Sequence, residues 1–301
     1  RGAYRRRGSL DRIFLSLMWK VTNRRLRPPL LPSLYPFDAV YLINLDRRVD
    51  RLANARGQLE RIGLWSHTER VPAIDLGQPG TTLDTVLSKV AEHGCALTAL
   101  ATKRLQLPPE SKLFGMDLTP GAVGCALSHR AVWQKIVNRK DRVALILEDD
   151  VEFSPKMRST FMDRWSRVPS DWGLVYLGGL DLLASGKPPR PFVADGVRYA
   201  FDGHRELTAY VVHADTARRC LELTRTMQWQ VDTHICSIFR DSPEAQDRFI
   251  CDPMSYVLQP SLAIQLAKFG TDVQKSAEQS PAMTDAKRRM NEFVGGKTSV
   301  R

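Results

Sequence analysis

The sequence is poor in the features of disulfide-rich, zinc-binding and membrane-spanning proteins. Its 301 residues include five cysteines, none of which forms a C-x-x-C pair, so we expect buried thiols without a disulfide framework or a zinc site. The longest early apolar run, Ile13–Trp19, is much shorter than the roughly 20 residues that a membrane span requires. Apolar and charged residues make up 43% and 26% of the chain, which predicts a globular protein with one large domain or two small ones.

Two nucleotide-binding motifs are also missing. The sequence contains neither G-x-x-x-x-G-K-[ST] nor G-x-G-x-x-G. Because these glycine-rich loops hold phosphate groups, their absence disfavours P-loop and Rossmann dinucleotide sites. It also disfavours a nucleotidyltransferase that forms sugar nucleotides, for which a glycine-rich phosphate loop near the N-terminus is expected.

Acidic residues are scarce at the N-terminal end. Residues 1–30 contain nine basic side chains and one acid, Asp11, and therefore carry +8 of the net charge of +11. The prolines that follow indicate a linker, so we predict a basic arm over residues 1–36, a folded domain over 37–266 and a polar tail over 267–301. The arm fits a solvated tail or weak contact with an anionic membrane surface better than nucleic-acid binding, since no groove-reading motif accompanies it.

Strand-like and helix-like segments alternate along the folded domain. Residues 38–45 are nearly all apolar, as in a strand that is buried on both faces. Thr119 can cap a helix over residues 118–139, in which Pro120 suits the first helical position. Residues 142–150 then have the composition of a strand. This alternation predicts an α/β fold with a mostly parallel central sheet and helices on both of its faces.

Three consecutive carboxylates, Glu148, Asp149 and Asp150, stand where this last strand ends. Open parallel sheets bind ligands outside the carboxyl ends of their strands. On an extended backbone Glu148 and Asp150 face one way and Asp149 the other, and two neighbouring carboxylates can share Mg²⁺ or Mn²⁺. The alternative is an acidic turn in water that caps a neighbouring helix. The triplet alone does not decide between the two.

Arg47, Arg48 and Arg51 follow the first strand, at the same kind of strand end. Guanidinium groups match the geometry of phosphate oxygens, although each arginine could equally belong to a solvated helix face. Acids that suit a metal ion and bases that suit phosphate at one edge of a sheet together predict a nucleoside diphosphate ligand.

Several segments of the sequence resemble glycosyltransferase family 25, which contains lipooligosaccharide and collagen sugar transferases. The resemblance is carried by residues 40–52 (VYLINLDRRVDRL), 121–137 (GAVGCALSHRAVWQKIV) and 144–153 (ALILEDDVEF), and is supported by 70–75 (RVPAID), 175–179 (VYLGG) and, more loosely, 269–276 (FGTDVQKS). The order and spacing of these segments agree with the family over about half of the chain, which makes the combination specific.

The resemblance implies a GT-A-type, Rossmann-like nucleotide-sugar fold and a divalent metal, Mn²⁺ or Mg²⁺. It implies inverting transfer of a hexose, most often galactose, from a UDP-sugar to a hydroxyl of a glycan, glycolipid or protein acceptor. Asp149 and Asp150 are then the expected metal ligands, with Glu148 as a third ligand or as a group that orients the others. Two cellular locations fit this resemblance: the cytoplasmic face of a membrane and the lumen of the secretory pathway.

The donor contacts that the resemblance implies lie within the matching segments: they are Asn44, Arg47, Arg51, Ser128, His129, Gly178 and Gly179. Ser128 and His129 could equally be packing residues of their helix, and the two glycines a turn that ends a strand.

Inverting transfer also needs a general base near the acceptor hydroxyl. Asp232 is the leading candidate because it lies in a stretch similar to the family pattern, and Glu206 and Asp181 are the alternates. Asp232 could instead cap the helix that follows it. The alternative functions are an inactive protein that binds nucleotide sugars, for which loss of the acids would be the expected signature, and a basic surface-binding module without chemistry.

Overall fold

The computed structural model describes residues 35–113, 115–181, 192–200, 204–238 and 254–274. The predicted arm up to residue 34 and the predicted tail from residue 275 lie outside the described residues. None of the helices in the described part of the chain is long and apolar enough to cross a membrane.

Strands and helices alternate through the described residues, as the sequence pattern predicts. The strands are β1 Ala39–Asn44, β2 Thr68–Pro72, β3 Ala96–Leu97, β4 Val143–Glu148, β5 Val151–Phe153, β6 Trp172–Tyr176, β7 Leu180–Asp181, β8 Phe192–Ala194, β9 Val197–Tyr199, β10 His204–Arg205, β11 Ala209–His213, β12 Thr226–Met227, β13 Met254–Leu258 and β14 Ala263–Gln265. The α-helices are α1 Val49–Arg61, α2 Leu83–Glu92, α3 Ala99–Leu105, α4 Pro120–Arg139, α5 Met157–Trp165, α6 Ala214–Leu223 and α7 Val231–Ile238.

The central sheet has eight strands in the order β2-β1-β4-β11-β6-β13-β9-β8. β2, β1 and β4 are parallel to one another, β13 is parallel to β6, and β11 runs antiparallel between β4 and β6. The α/β class is confirmed, but the sheet is mixed, whereas the alternation predicts a mostly parallel one. The reason lies in β7, which follows β6 and pairs with β10. The chain therefore enters β11 from the carboxyl end of β6 and runs back along it.

Alternate residues of the central strands face opposite helical layers. Tyr41 and Ile146 pack in one core cluster with Trp133 of α4, whereas Leu42 packs in the other cluster with Leu59 of α1. Burying one such side chain stabilises the fold by about 1.5–3 kcal/mol. Helices therefore cover both faces of the sheet, as predicted.

The ends of three parallel strands lie level with one another and define the site. Asn44 at the end of β1 pairs with Pro72 of β2, and Ile43 pairs with Glu148 of β4. α4 begins beside these ends at the predicted cap, where the Thr119 hydroxyl accepts a hydrogen bond from the Ala122 N–H at 3.0 Å. The side chains that follow β1 and β4 are thereby brought to one edge of the sheet.

The described chain stays packed beyond the predicted domain boundary at residue 266. β14 pairs with β5, and the following residues continue across the carboxyl edge of the sheet to Gln274, which is 6% exposed. Ion pairs and buried hydrogen bonds hold this stretch, so the first eight residues of the predicted tail belong to the packed domain.

Candidate functional site

An open cleft lies at the carboxyl ends of β1, β2 and β4. Its walls are the end of β1, residues 73–77 after β2, the first half of α4, the acid triplet and residues 271–273. This position is the one at which open α/β sheets bind ligands.

Asp149 is engaged by the protein on both of its carboxylate oxygens. Asn44 Nδ2 donates to Oδ2 at 2.7 Å, and Arg51 Nη1 donates to Oδ1 at 3.1 Å. Burial raises the pKa of Asp149, while the hydrogen bonds from Asn44 and Arg51 act to lower it. Asp149 therefore links the end of β4 to β1 and α1.

Asp150 has a different environment on each oxygen. Oδ2 accepts hydrogen bonds from Arg51 Nη1 at 3.0 Å and Gln265 Nε2 at 3.3 Å, whereas Oδ1 is buried and has no hydrogen-bond partner among the described residues. Burial, together with the neighbouring Glu148 carboxylate, raises the pKa of Asp150 to about 8, because one arginine shared with Asp149 does not offset both effects. A buried carboxylate oxygen without a donor is costly and fits a cation that binds there.

Glu148 faces α4, on the other side of the strand end from Asp149, as the alternation predicts. Its Oε1 lies 3.0 Å from His129 Nε2 and 3.9 Å from Cys125 Sγ. One ligand atom from each of these three residues lies within 4.8 Å of the others. Burial raises the pKa of the Cys125 thiol well above its usual value, so it stays protonated and is a poor metal ligand.

His129 is held by a chain of buried aromatic groups. Trp133 Nε1 donates to the Tyr210 hydroxyl at 3.0 Å, and that hydroxyl lies 2.9 Å from His129 Nδ1. Because the Glu148 carboxylate can only accept, the ring proton of a neutral His129 lies on Nε2 and is donated to Glu148. Nδ1 then accepts from the Tyr210 hydroxyl. His129 was predicted to contact the nucleotide-sugar donor, but both of its ring nitrogens bind side chains of the protein.

Ser128 joins α4 to the chain that follows β2. Its hydroxyl donates to the Gly124 carbonyl at 2.7 Å and accepts from the Ile74 N–H at 2.8 Å. These bonds agree with the packing alternative for Ser128, although the residue lines the cleft.

The arginines that were predicted to bind phosphate are paired with carboxylates of the protein. Arg51 contacts both Asp149 and Asp150, and its Nη2 lies 3.3 Å from Asp272. Arg47 also pairs with Asp272, at 2.8 Å. Arg51 is 6% exposed, which excludes the solvated-face alternative for this residue.

Gly178 and Gly179 pack against protein backbone. A Cβ at Gly178 would overlap the Ala263 carbonyl, and Gly179 has a φ of 113° with the backbone oxygen of Arg205 at 2.6 Å from its Cβ position. Both positions need glycine for a close approach of two chain segments, which agrees with the turn alternative.

Two of the three candidate bases, Asp232 and Glu206, lie next to each other. The Asp232 carboxylate accepts from the Glu206 N–H at 3.0 Å and from the Thr233 N–H at 2.7 Å. α7 begins at Val231, so Asp232 lies inside the first turn and not at the N-cap. The Glu206 charge contributes to the raised pKa of Asp150, so the two carboxyl groups lie within electrostatic range of each other. The side chain of the alternate Asp181 lies outside the described part of the structure.

Four residues of the site were not among the candidates from the sequence: Cys125, Tyr210, Gln265 and Asp272. Asp272 lies in the FGTDVQKS segment, which the resemblance singles out without giving it a role. Nothing in the local sequence marks Gln265, and Tyr210 follows the ordinary apolar pattern of a strand. Tertiary contacts alone bring them to the acids.

Known proteins match most of the segments that build the cleft. Residues 37–181 match the family described as glycosyltransferase family 25 (LPS biosynthesis protein). Procollagen galactosyltransferase 2 of Homo sapiens is 31% identical over 166 residues, which cover 50% of this chain and 24% of that protein. The probable inactive glycosyltransferase 25 family member 3 of Bos taurus is 29% identical over 204 residues, which cover 65% of this chain and 30% of that protein. The chain thus spans about a quarter to a third of the length of these relatives.

A crystal structure of an active-site mutant of LgtC is 12% identical and covers 87% of this chain and 97% of that chain, with a TM-score of 0.35, a likeness too low to bear on the fold. The family match is the informative one, because it includes the arginines, α4 and the acid triplet. Over residues 37–181 the chain belongs to glycosyltransferase family 25.

Proposed function

We propose that the chain is a metal-dependent, inverting glycosyltransferase that moves a hexose from a UDP-sugar to a hydroxyl group of a glycan, glycolipid or protein. The observation that carries this proposal is the buried Asp150 carboxylate, whose Oδ1 has no partner among the described residues although Arg51 and Gln265 share Oδ2. Oxygen ligands of this kind suit Mn²⁺ or Mg²⁺.

Galactose is the hexose that we expect first. One relative is named a procollagen galactosyltransferase, and the family description refers to LPS biosynthesis. A protein hydroxyl and a glycolipid hydroxyl are accordingly the two acceptor classes to test. The basic residues 1–30 would favour an acceptor at an anionic membrane surface.

Asp150 and Glu148 are the side chains that would hold the cation. Both oxygens of Asp149 already bind Asn44 and Arg51, which suits Asp149 to keeping the arginine in place. When bound, the cation supplies charge neutralisation for the departing diphosphate. Arg51 adds a positive charge on the same side, and His129 aims the Glu148 carboxylate.

We assign the general base to Glu206 and a positioning role to Asp232. Backbone N–H groups engage both oxygens of Asp232, and one of these bonds holds Glu206 at a φ of 72°. A residue other than glycine in this region costs on the order of 1–3 kcal/mol, and such strain concentrates at functional sites. The Glu206 side chain would accept the proton of the acceptor hydroxyl as the hydroxyl attacks the anomeric carbon.

The function is tested by incubating the full chain with a panel of UDP-sugars and Mn²⁺ and measuring UDP release with and without EDTA. We expect release from UDP-galactose that depends on the metal and increases when an acceptor is added. If no nucleotide sugar is bound or turned over, the assignment fails.

The alternative function is an inactive protein that binds a UDP-sugar without transferring it. It is worth testing because some relatives are named inactive. The same panel separates the two, because an inactive binder would retain UDP-sugar affinity without releasing UDP. Glu148 and Asp150 are both present, and Asp150 Oδ1 lacks a partner among the described residues, which favours the active enzyme.

Replacing Tyr210 by phenylalanine is expected to weaken Mn²⁺ binding about tenfold, because partners that orient a metal site typically contribute 10–100-fold. Without the hydroxyl, His129 loses the bond that directs its proton to Nε2, and it donates less to Glu148. Calorimetric titration with Mn²⁺ measures the affinity, and the ¹⁵N shifts of the imidazole report the tautomer.

Tyr41→Phe is the matched control for this experiment. It removes another buried tyrosine hydroxyl, which donates to Asp141 Oδ2 at 2.6 Å near the start of β4. This variant should bind Mn²⁺ as the wild type does. Equal affinities in the two variants would contradict a positioning role for Tyr210.

A further inference from the structure

The chain crosses the mouth of the cleft in a segment that we call the strap, residues 266–274. At one end the Leu266 N–H donates to the Asp150 carbonyl at 2.8 Å. At the other end the Gln274 side chain accepts from the Gly115 N–H at 3.1 Å and from Gln230 Nε2 at 2.7 Å. The strap is thus fixed at both ends and lines the cleft between them.

The surface beneath the strap is shaped to receive it. A Cβ at Gly121 would overlap the Asp272 carbonyl, and a Cβ at Gly77 would lie 2.9 Å from the same oxygen. The Thr119 hydroxyl, which also caps α4, donates to the Val273 carbonyl. This close backbone approach indicates that the strap packs in a specific position and is not a loop in chance contact with the surface.

The Asp272 side chain of the strap is directed at the arginines. Its Oδ1 lies 2.8 Å from Arg47 Nη2, and its Oδ2 pairs with Arg48 Nη1 and lies 3.3 Å from Arg51 Nη2. Two anionic oxygens that share three guanidinium groups reproduce the contacts that phosphate oxygens make with arginine. Arg51 also contacts Asp150, where the diphosphate of a UDP-sugar would lie.

We propose that Asp272 occupies the diphosphate subsite and that a nucleoside diphosphate competes with it for Arg47, Arg48 and Arg51. The inference rests on the proposed function, since it takes the arginines as the donor's phosphate contacts. The strap is then an autoinhibitory contact that keeps the arginines occupied until the donor displaces the Asp272 carboxylate. Displacement costs the ion pairs of the strap, so the chain binds UDP more weakly than its arginines alone would allow.

The test compares UDP binding in the presence of Mn²⁺ by the full chain and by Asp272→Asn. We expect the variant to bind UDP roughly tenfold more tightly, a coupling of the usual size between two competing groups. Asp50→Asn is the matched control: Asp50 also pairs with Arg48, at 2.9 Å, but it lies on α1 and not on the strap. It changes the charge by the same amount and should alter UDP affinity less than about twofold.

A second measurement uses the wild-type chain alone. Hydrogen exchange of the backbone amides in residues 266–274 should become faster when UDP and Mn²⁺ are added, because the strap leaves its resting place. Unchanged or weaker UDP binding by Asp272→Asn, or strap amides that exchange more slowly with UDP, would overturn the competition while leaving the proposed function intact. Absence of UDP binding in every protein tested would overturn both.

Discussion

Replacement of Asp150 by asparagine is expected to lower UDP release from a UDP-sugar by more than roughly 100-fold, since outer groups of metal sites already contribute 10–100-fold and Asp150 is a proposed ligand. The amide keeps the size of the side chain and can still accept from Arg51 or Gln265, but it lacks the negative charge. Mn²⁺ should raise the melting temperature of the wild type and leave that of the variant unchanged, because only a ligand that binds the folded state stabilises it.

We expect the Asp150→Asn variant to fold, because an ionised Asp150 carboxyl does not stabilise the metal-free protein. The folded-state pKa of Asp150 is raised from 3.8 to about 8, so the folded chain holds a proton that the unfolded chain releases above pH 4. The contribution of this group to the free energy of unfolding is therefore fully present below about pH 4 and is lost as pH rises through 8. Asparagine carries no such proton, so the metal-free variant should melt at the same temperature or higher at pH 7.5, with a flatter dependence on pH.

Glu152→Gln is the charge control for Asp150→Asn. Glu152 lies on β5, two residues further along, and does not line the cleft. Its variant should retain Mn²⁺-dependent release within about threefold of the wild type, as for a surface substitution away from the site. Full activity of Asp150→Asn, or an equal loss in Glu152→Gln, would remove Asp150 from the proposed metal site.

Replacement of Glu206 by glutamine is expected to lower kcat by about 10²–10⁴-fold, the usual contribution of a general base, with little change in KM for the UDP-sugar. Glutamine can adopt the same backbone conformation at a similar cost, so the hydrogen bond from the Glu206 N–H to Asp232 should persist. Single-turnover transfer to a soluble acceptor isolates the chemical step from binding and product release.

Asp232→Asn is the comparison that assigns the two carboxylates. An asparagine at this position keeps one oxygen for a backbone N–H, and the positioning role predicts a loss of about tenfold. The order of the two effects is the decisive result. A larger loss in Asp232→Asn than in Glu206→Gln would make Asp232 the base, as its place in the family-like stretch predicts.

Local sequence predicted the elements that carry the site. Buried apolar residues and cap residues place β1, α4 and β4 close to their observed bounds, and the run from Leu147 into three carboxylates marks the edge of the sheet at which the cleft lies. The period of two along a strand also predicted that Glu148 and Asp149 face opposite ways, and their hydrogen bonds to His129 and Asn44 agree with it. The same period placed Asp150 on the side of Glu148, which is wrong: β4 ends at Glu148, and in the turn that follows Asp150 shares Arg51 with Asp149.

The direction of β11 could not be read in the same way. A strand has the same side-chain pattern in either direction, and its orientation follows from where the preceding chain enters the sheet. The end of the packed domain could not be predicted from local sequence either. Residues 267–274 are polar, and the partners that bury Gln274 lie far away in sequence.

The sequence by itself determined the fold class, the family resemblance and the edge of the sheet at which the acids stand, because each of these depends on periodicity or on short contiguous segments. Only the tertiary structure decided the partners of each charge. It pairs Arg51 with Asp149 and Asp150, sets Tyr210 behind His129 and lays Asp272 across the arginines. Charged and hydrogen-bonding groups act over a few ångströms whatever their separation along the chain, so their roles depend on distances that folding alone establishes.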